Sequence, residues 1–178
     1  EHARPLQEVH TPGVKTIEEL AEFLDISTVR TLKAVFYVAD DGLVLVTIRG
    51  DLEVNEVKLQ NALGTNDLRL AAFEEIKKAG LVPGSASAVG LNGVKTVSDD
   101  SIRLGSNFVV GANRLDYHLL NANYPRDFNA DLVTDIALAE DGHLCPNCPS
   151  VLTTRRGIEV GHVFKLGIRY SQIFDADF

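Results

Sequence analysis

From Thr31 to Val38 the chain alternates. Leu32, Ala34, Phe36 and Val38 fall on one face, the period-two signature of a half-buried strand. The turn Asp40-Asp41-Gly42 then leads into a second apolar run, Leu43 to Ile48, so the pair is predicted to form a β-hairpin. One residue sits badly in this pattern: Lys33 lies on the opposite face, beside Val35 and Tyr37, where an apolar or small side chain would pack as well. Upstream, Thr16-Ile17-Glu18-Glu19 has the form of a capping box ahead of Leu20, Phe23 and Leu24, which predicts a helix over 16–25. Downstream, Asn55 as an N-cap and Gly64 as a stop frame a second helix, residues 68–71 read as a strand, and Phe73 to Gly80 reads as a third helix closed by glycine. A loop rich in Gly, Ser and Ala follows, then strands near 94–97 and 108–111. Short helices mixed with at least five short strands predict a mixed α/β domain. No internal repeat or low-complexity linker interrupts it.

Length and charge narrow the function. A chain of 178 residues is expected to be one domain, or one domain with a tail, with enough length to bury a core. With 45% hydrophobic and 24% charged residues, no apolar run approaches the roughly 20 residues that span a bilayer, and the first residues have no apolar signal-peptide core. A cytoplasmic, non-membrane protein is expected. The lack of methionine suggests a segment of a longer translation product. A net charge of −8 argues against a general nucleic-acid binder, because non-specific affinity comes from Lys and Arg neutralising phosphates, so any such contact must be local. The basic pairs and clusters at Arg155-Arg156 and from Lys165 to Arg169 read as a solvated face.

Candidate chemistry is sparse. Cys145-Pro146-Asn147-Cys148 has the spacing of half a structural zinc site, which His143 and His162 would have to complete; a reduced knuckle without metal is the favoured reading. There is no phosphate-binding Gly-rich loop and no nucleophile elbow. Arg49-Gly50-Asp51 reads as a turn after the second strand. Pro83-Gly84-Ser85-Ala86 is either a plain connection or a set of backbone N–H groups able to approach an anionic or carbonyl oxygen. His118 is open between a general base, a polar pocket liner and a surface strand residue.

Taken together, "VHTPGVKTIEELAEFL", "TLKAVFY", "LVTIRGDLEVNEVK", "FVVGANRLDYH" and "RRGIEVGHVFKLGIRYS" resemble, in order, the insertion domain of bacterial-type prolyl-tRNA synthetase, over about Glu8 to Ser171. The resemblance implies a YbaK-like fold: α/β, with a mixed, mainly antiparallel, barrel-like sheet flanked by short helices. It implies that residues 1–160 form an editing domain and 161–178 return toward the parent aminoacylation domain. The implied activity is hydrolysis of alanine mischarged onto proline-specific tRNA. A pocket built for proline rejects a smaller side chain by only about 10- to 200-fold, so a second site must destroy the error. No cofactor is implied, ATP being used only by the parent's aminoacylation domain. The implied partners are the aminoacylated 3′ end of tRNA and the parent's catalytic and anticodon-binding domains. By the same resemblance Lys33 is the key lysine, and the backbone of Gly84, Ser85 and Ala86 serves the oxyanion and the attacking water. Thr11, Ile17 and Leu20 shape the alanine pocket, His118 limits its size, and Asp99 is an acidic residue near the cleft. One position departs from the family: Ala88 stands where proline is expected, a loss worth roughly 0.4–1 kcal/mol of loop preorganisation. Other readings are an inactive tRNA-docking or spacer module, a free-standing trans-editing deacylase, and a zinc-organised interaction module on Cys145 and Cys148.

Overall fold

The computed structural model describes residues 2–40, 42–145, 147–163 and 167–174. Residues through Leu138 form one compact unit and those from Ala139 another. In chain order the elements of the first unit are β1 (Gln7–His10), α1 (Ile17–Leu24), β2 (Leu32–Ala39), β3 (Gly42–Arg49), α2 (Glu56–Leu63), β4 (Leu68–Leu70), α3 (Phe73–Lys78), β5 (Lys95–Asp99), β6 (Phe108–Gly111), β7 (Tyr117–Ala122) and β8 (Leu132–Thr134), with 3-10 turns at Thr28–Arg30 and Asp100–Arg103. The second unit carries α4 (Arg169–Ile173).

The capping signals act as the sequence indicates. The Thr16 hydroxyl accepts from Glu19 N at 3.1 Å and the Glu19 carboxylate accepts from Thr16 N at 3.1 Å, closing the capping box. Caps of this kind stabilise by about 0.5–2 kcal/mol. Asn55 Oδ1 accepts from Val57 N and Lys58 N, and Gly64 closes α2 in the left-handed conformation. In α1 the inward side chains are Leu20 and Ala21, while Phe23 is exposed.

Two sheets result, one in the order β1-β7-β6 and one in the order β4-β2-β3-β5-β8. Four pairings are antiparallel and two, β3 with β5 and β5 with β8, are parallel. The fold is the mixed, mainly antiparallel α/β arrangement expected; the two sheets do not form a closed barrel, and a bridge between Thr31 and Val109 links them.

The hairpin is likewise more buried than its alternation predicts. On one side Leu32, Phe36 and Leu45 pack with Ile102, Phe108 and Val110. On the other, Tyr37, Val44 and Val46 pack with Leu59 of α2, Val97 and Ile136. Both faces of β2 and β3 are therefore covered, and the near-continuous apolar run of β3 fits a central strand with a parallel neighbour. Lys33 lies outside the Tyr37–Ala39 stretch that β4 pairs with, and its side chain is 17% exposed. Among the described residues no helix is long and apolar enough to cross a membrane.

In the second unit a bridge joins Leu144 and Val151, with Cys145 N donating to Ser150 O at 2.9 Å and Leu152 N to His143 O at 2.7 Å. Residues 164–166, within the block that resembles the return segment, lie outside the described residues, as do Asp41 of the hairpin turn and Pro146 of the cysteine knuckle.

Candidate active site

A cleft of about 150 Å³ opens where three parts of the first unit meet. Val14 to Ile17 and Leu20 form one wall, Leu32, Lys33 and Ala34 at the start of β2 a second, and Gly84, Ala86, Gly111 and His118 the third. The turn before α1 is tied to β7 by Thr11 N donating to Asp116 O at 2.8 Å.

His118 sits on β7, opposite Val9 of β1 and Gly111 of β6. It is buried, and its Nδ1 lies 2.6 Å from the Thr11 hydroxyl, itself fully buried. Burial lowers the imidazole pKa from its usual 6.5, so the ring is neutral at pH 7. That excludes the surface reading of His118 and gives a neutral, fixed ring on the cleft wall.

Lys33 reaches the same cleft from β2, and its ammonium donates to Glu53 Oε1 at 2.5 Å. Lys15, which sequence reasoning passed over, places a second basic residue on the wall.

The loop wall is shaped by backbone. Gly84 has φ +81°, where a side chain is strained even though a Cβ there would meet nothing within 4 Å. Gly111 has the opposite constraint: a Cβ would lie 2.3 Å from Ser85 O and 2.6 Å from Ala86 O. Only glycine lets β6 pass this close beneath the loop. A glycine ending an apolar strand signals such an approach, and this one is visible in "FVVG".

Of the residues expected at the site, Lys33, Ile17, Leu20, Gly84, Ala86 and His118 line the cleft, and Thr11 reaches it through His118. Ile17 is half-buried at the start of α1, whereas Leu20 is buried and also belongs to the core. Ser85 N donates to Val82 O at 3.1 Å within the loop turn, and of the three loop residues Gly84 and Ala86 line the cleft. Asp99 is not brought to the cleft. It is 1% exposed at the end of β5, where one carboxylate oxygen accepts from Ser101 N at 3.0 Å and the other from Ile136 N at 2.9 Å. The acidic residue expected near the cleft is a buried cap joining β5 to the segment after β8.

Elsewhere, Arg49 pairs with Asp51 across the turn after β3, Nε to Oδ1 at 2.5 Å. His143 Nδ1 accepts from Glu140 N at 3.2 Å, and His162 Nδ1 lies 3.0 Å from Glu159 Oε1. Among the described residues no three His, Cys, Asp or Glu side chains converge as a metal site would require.

The profile of the aminoacyl-tRNA editing domain family matches residues 11–127, a span that includes every wall of the cleft. A proline–tRNA ligase from Dehalococcoides mccartyi is 54% identical over all 178 residues, which correspond to 31% of that protein. One from Thermotoga neapolitana is 46% identical over 179 aligned positions, again 31% of its length. The chain thus spans about a third of the length of these relatives. Among solved structures, a protein proposed as a trans-editing enzyme for prolyl tRNA synthetase superposes with a TM-score of 0.66 at 21% identity, covering 75% of this chain and 87% of that one, which establishes the shared fold.

Proposed function

The chain belongs to the aminoacyl-tRNA editing domain family, and from that premise we propose that it hydrolyses the ester joining a small amino acid, alanine, to the 3′-terminal adenosine of proline-specific tRNA. The observation that carries this reading is the cleft: about 150 Å³, well under the roughly 300–1,000 Å³ of pockets for drug-sized ligands, with a neutral histidine and two lysines on its walls. Its size suits a small aminoacyl group, and its basic residues suit the phosphates of the terminal nucleotide.

In the proposed reaction a water oxygen attacks the ester carbonyl carbon, and the carbonyl oxygen becomes an oxyanion. The N–H groups of Gly84 and Ala86 donate to that oxygen, stabilising charge that exists only in the transition state. Collapse breaks the carbon–oxygen bond to the ribose, whose oxygen takes up the proton lost by the water, releasing alanine and free tRNA. No cofactor enters these steps. Lys33 exchanges Glu53 for a phosphate oxygen of the substrate and so orients the ester. His118, braced by Thr11, fills the volume that the proline ring would need and acts as a steric gate. Ile17 and Leu20 close the apolar side.

In the full-length protein the aminoacylation and anticodon-binding domains would read tRNA identity and deliver the 3′ end, with 161–178 leading back toward the aminoacylation domain. Deacylation of alanyl- and prolyl-tRNA, both on proline-specific tRNA, tests the reading. Release of alanine with proline left in place is expected; equal release of both, or of neither, would refute it.

A further inference from the structure

We infer that Asn113 is a positioning residue that holds the loop supplying the oxyanion donors, an inference that rests on the deacylase reading above. Asn113 follows β6 by two residues and has φ +53°, a left-handed conformation that asparagine tolerates better than most residues. From there its backbone and side chain make three hydrogen bonds to the loop, all at 2.8 Å. Its own N–H donates to Ser85 O, its Oδ1 accepts from Ser87 N, and its Nδ2 donates to Val89 O. The contacts fall on alternate residues 85, 87 and 89, while Gly84 and Ala86 line the cleft. The segment is therefore pinned on either side of Ala86, which lines the cleft, and just after Gly84, which lines it too.

This arrangement has a chemical consequence. Donors stabilise an oxyanion only if they are already in place when charge develops, so a loop that samples other conformations loses rate rather than substrate affinity. The family's proline at position 88 would restrict the loop through its own backbone, and here Ala88 does not. Asn113 provides restriction from outside the loop, through bonds that bracket Ala88 at Ser87 and Val89.

Asn113→Gly isolates the effect. Glycine keeps the left-handed backbone and the bond from residue 113 N to Ser85 O, and removes only the two side-chain bonds. With alanyl-tRNA as substrate, kcat is expected to fall about 10- to 100-fold with KM within about twofold, because the loss is of transition-state positioning. Amide hydrogen exchange should speed up at residues 84–89 and stay unchanged in β2 and β3. Asn113→Asp, which retains the acceptor for Ser87 N and loses the donor to Val89 O, should fall between the two. Wild-type kcat in Asn113→Gly, or a fall in kcat with unchanged exchange across the loop, overturns the inference and leaves the functional reading intact. A wild-type domain that hydrolyses no ester overturns the functional reading instead, and the exchange comparison then still decides whether Asn113 holds the loop.

Discussion

Substituting Gly111 with alanine tests the loop wall by adding a single methyl group. The added Cβ would stand 2.3 Å from Ser85 O, 2.5 Å from Ser85 C and 2.6 Å from Ala86 O, all backbone atoms with no rotamer to escape into. Ordinary contact lies near 3.5 Å, so the loop must retreat by roughly 1 Å. Gly111 lies in a strand with no positive φ, so alanine strains nothing at its own position and the effect is the contact alone. Overpacking of this kind costs about 1–3 kcal/mol, and each kcal/mol lowers Tm by about 2–4 °C in a chain of this size. A misplacement of about 1 Å at reacting groups costs on the order of 100-fold in rate, a far larger change than the stability loss produces in the folded fraction. Single-turnover deacylation of alanyl-tRNA well below Tm should therefore show a fall of that order. Gly105→Ala is the control: its Cβ would press on the Phe108 ring at 2.5 Å rather than on the loop backbone, and should lower Tm with a much smaller effect on kcat. If Gly111→Ala loses stability but keeps its rate within twofold, the loop amides do not serve the chemistry.

Other outcomes follow from the charges and contacts around the cleft. Lys33→Ala should lower kcat/KM about 10- to 100-fold, the worth of a charge-assisted contact, while Tm moves little, since the solvent-screened pair with the exposed Glu53 contributes about 0–1 kcal/mol; unfolding of the variant would make Lys33 structural. Glu53→Gln removes the carboxylate that competes with substrate for Lys33 and should lower KM about twofold to fivefold, whereas a higher KM would mean that Glu53 aims the lysine. His118→Ala should let prolyl-tRNA be hydrolysed while alanine release persists; total inactivity toward both, in a folded variant, would favour a proton-transfer role. Stability should fall on the acid side. The Arg69 guanidinium and Ala72 N–H hold Glu75 at about 2, below its usual 4.5, so its contribution is complete above about 4.5 and lost as pH falls toward 2. The lowered pKa of His118 acts in the same direction from 6.5 downward, since the unfolded chain takes up that proton first. Tm measured against pH in Glu75→Gln should show a shallower acid limb. Finally, with 17 basic against 25 acidic residues the isolated chain should bind tRNA weakly; sub-micromolar affinity at physiological salt would contradict this.

Local signals in the sequence proved sound wherever a few adjacent residues settle the backbone. Thr16 with Glu19, Asn55 and Gly64 satisfy helix ends through bonds spanning at most four residues, and those helices end within about a residue of where the caps place them. The same logic reads Arg49-Gly50-Asp51 as a turn, and Arg49 and Asp51 pair across it. What covers a strand is decided elsewhere in the chain. The alternation of β2 is real, yet its second face is covered by α2, which arrives only after β3, so alternation alone describes the strand as more exposed than it is. Asp99 fails for a related reason. Its two hydrogen-bonding partners are Ser101, two residues on, and Ile136, 37 residues away, and only the fold brings the distant one to it.

The site follows the same division, and this explains which of its residues pattern alone leaves undecided. Thr11 and His118 lie 107 positions apart and meet at 2.6 Å only because β1 pairs with β7. Periodicity within either strand carries no trace of that contact, so His118 reads equally as base, liner or surface residue until the pairing is known, and only resemblance to a family could place it beforehand. Asn113 is harder still. Its three bonds include two through a side-chain amide that resembles any loop asparagine in sequence, and its left-handed φ is a conformation that asparagine adopts in many turns with no partner at all. Gly111 is the intermediate case. A glycine closing the apolar run Phe108 to Val110 announces that some backbone passes close by, but only the fold shows that this backbone is the loop of Gly84 and Ala86. Residues that act by excluding atoms or by holding another segment are thus the least legible in sequence, and they are the ones that set where the amides of this cleft stand.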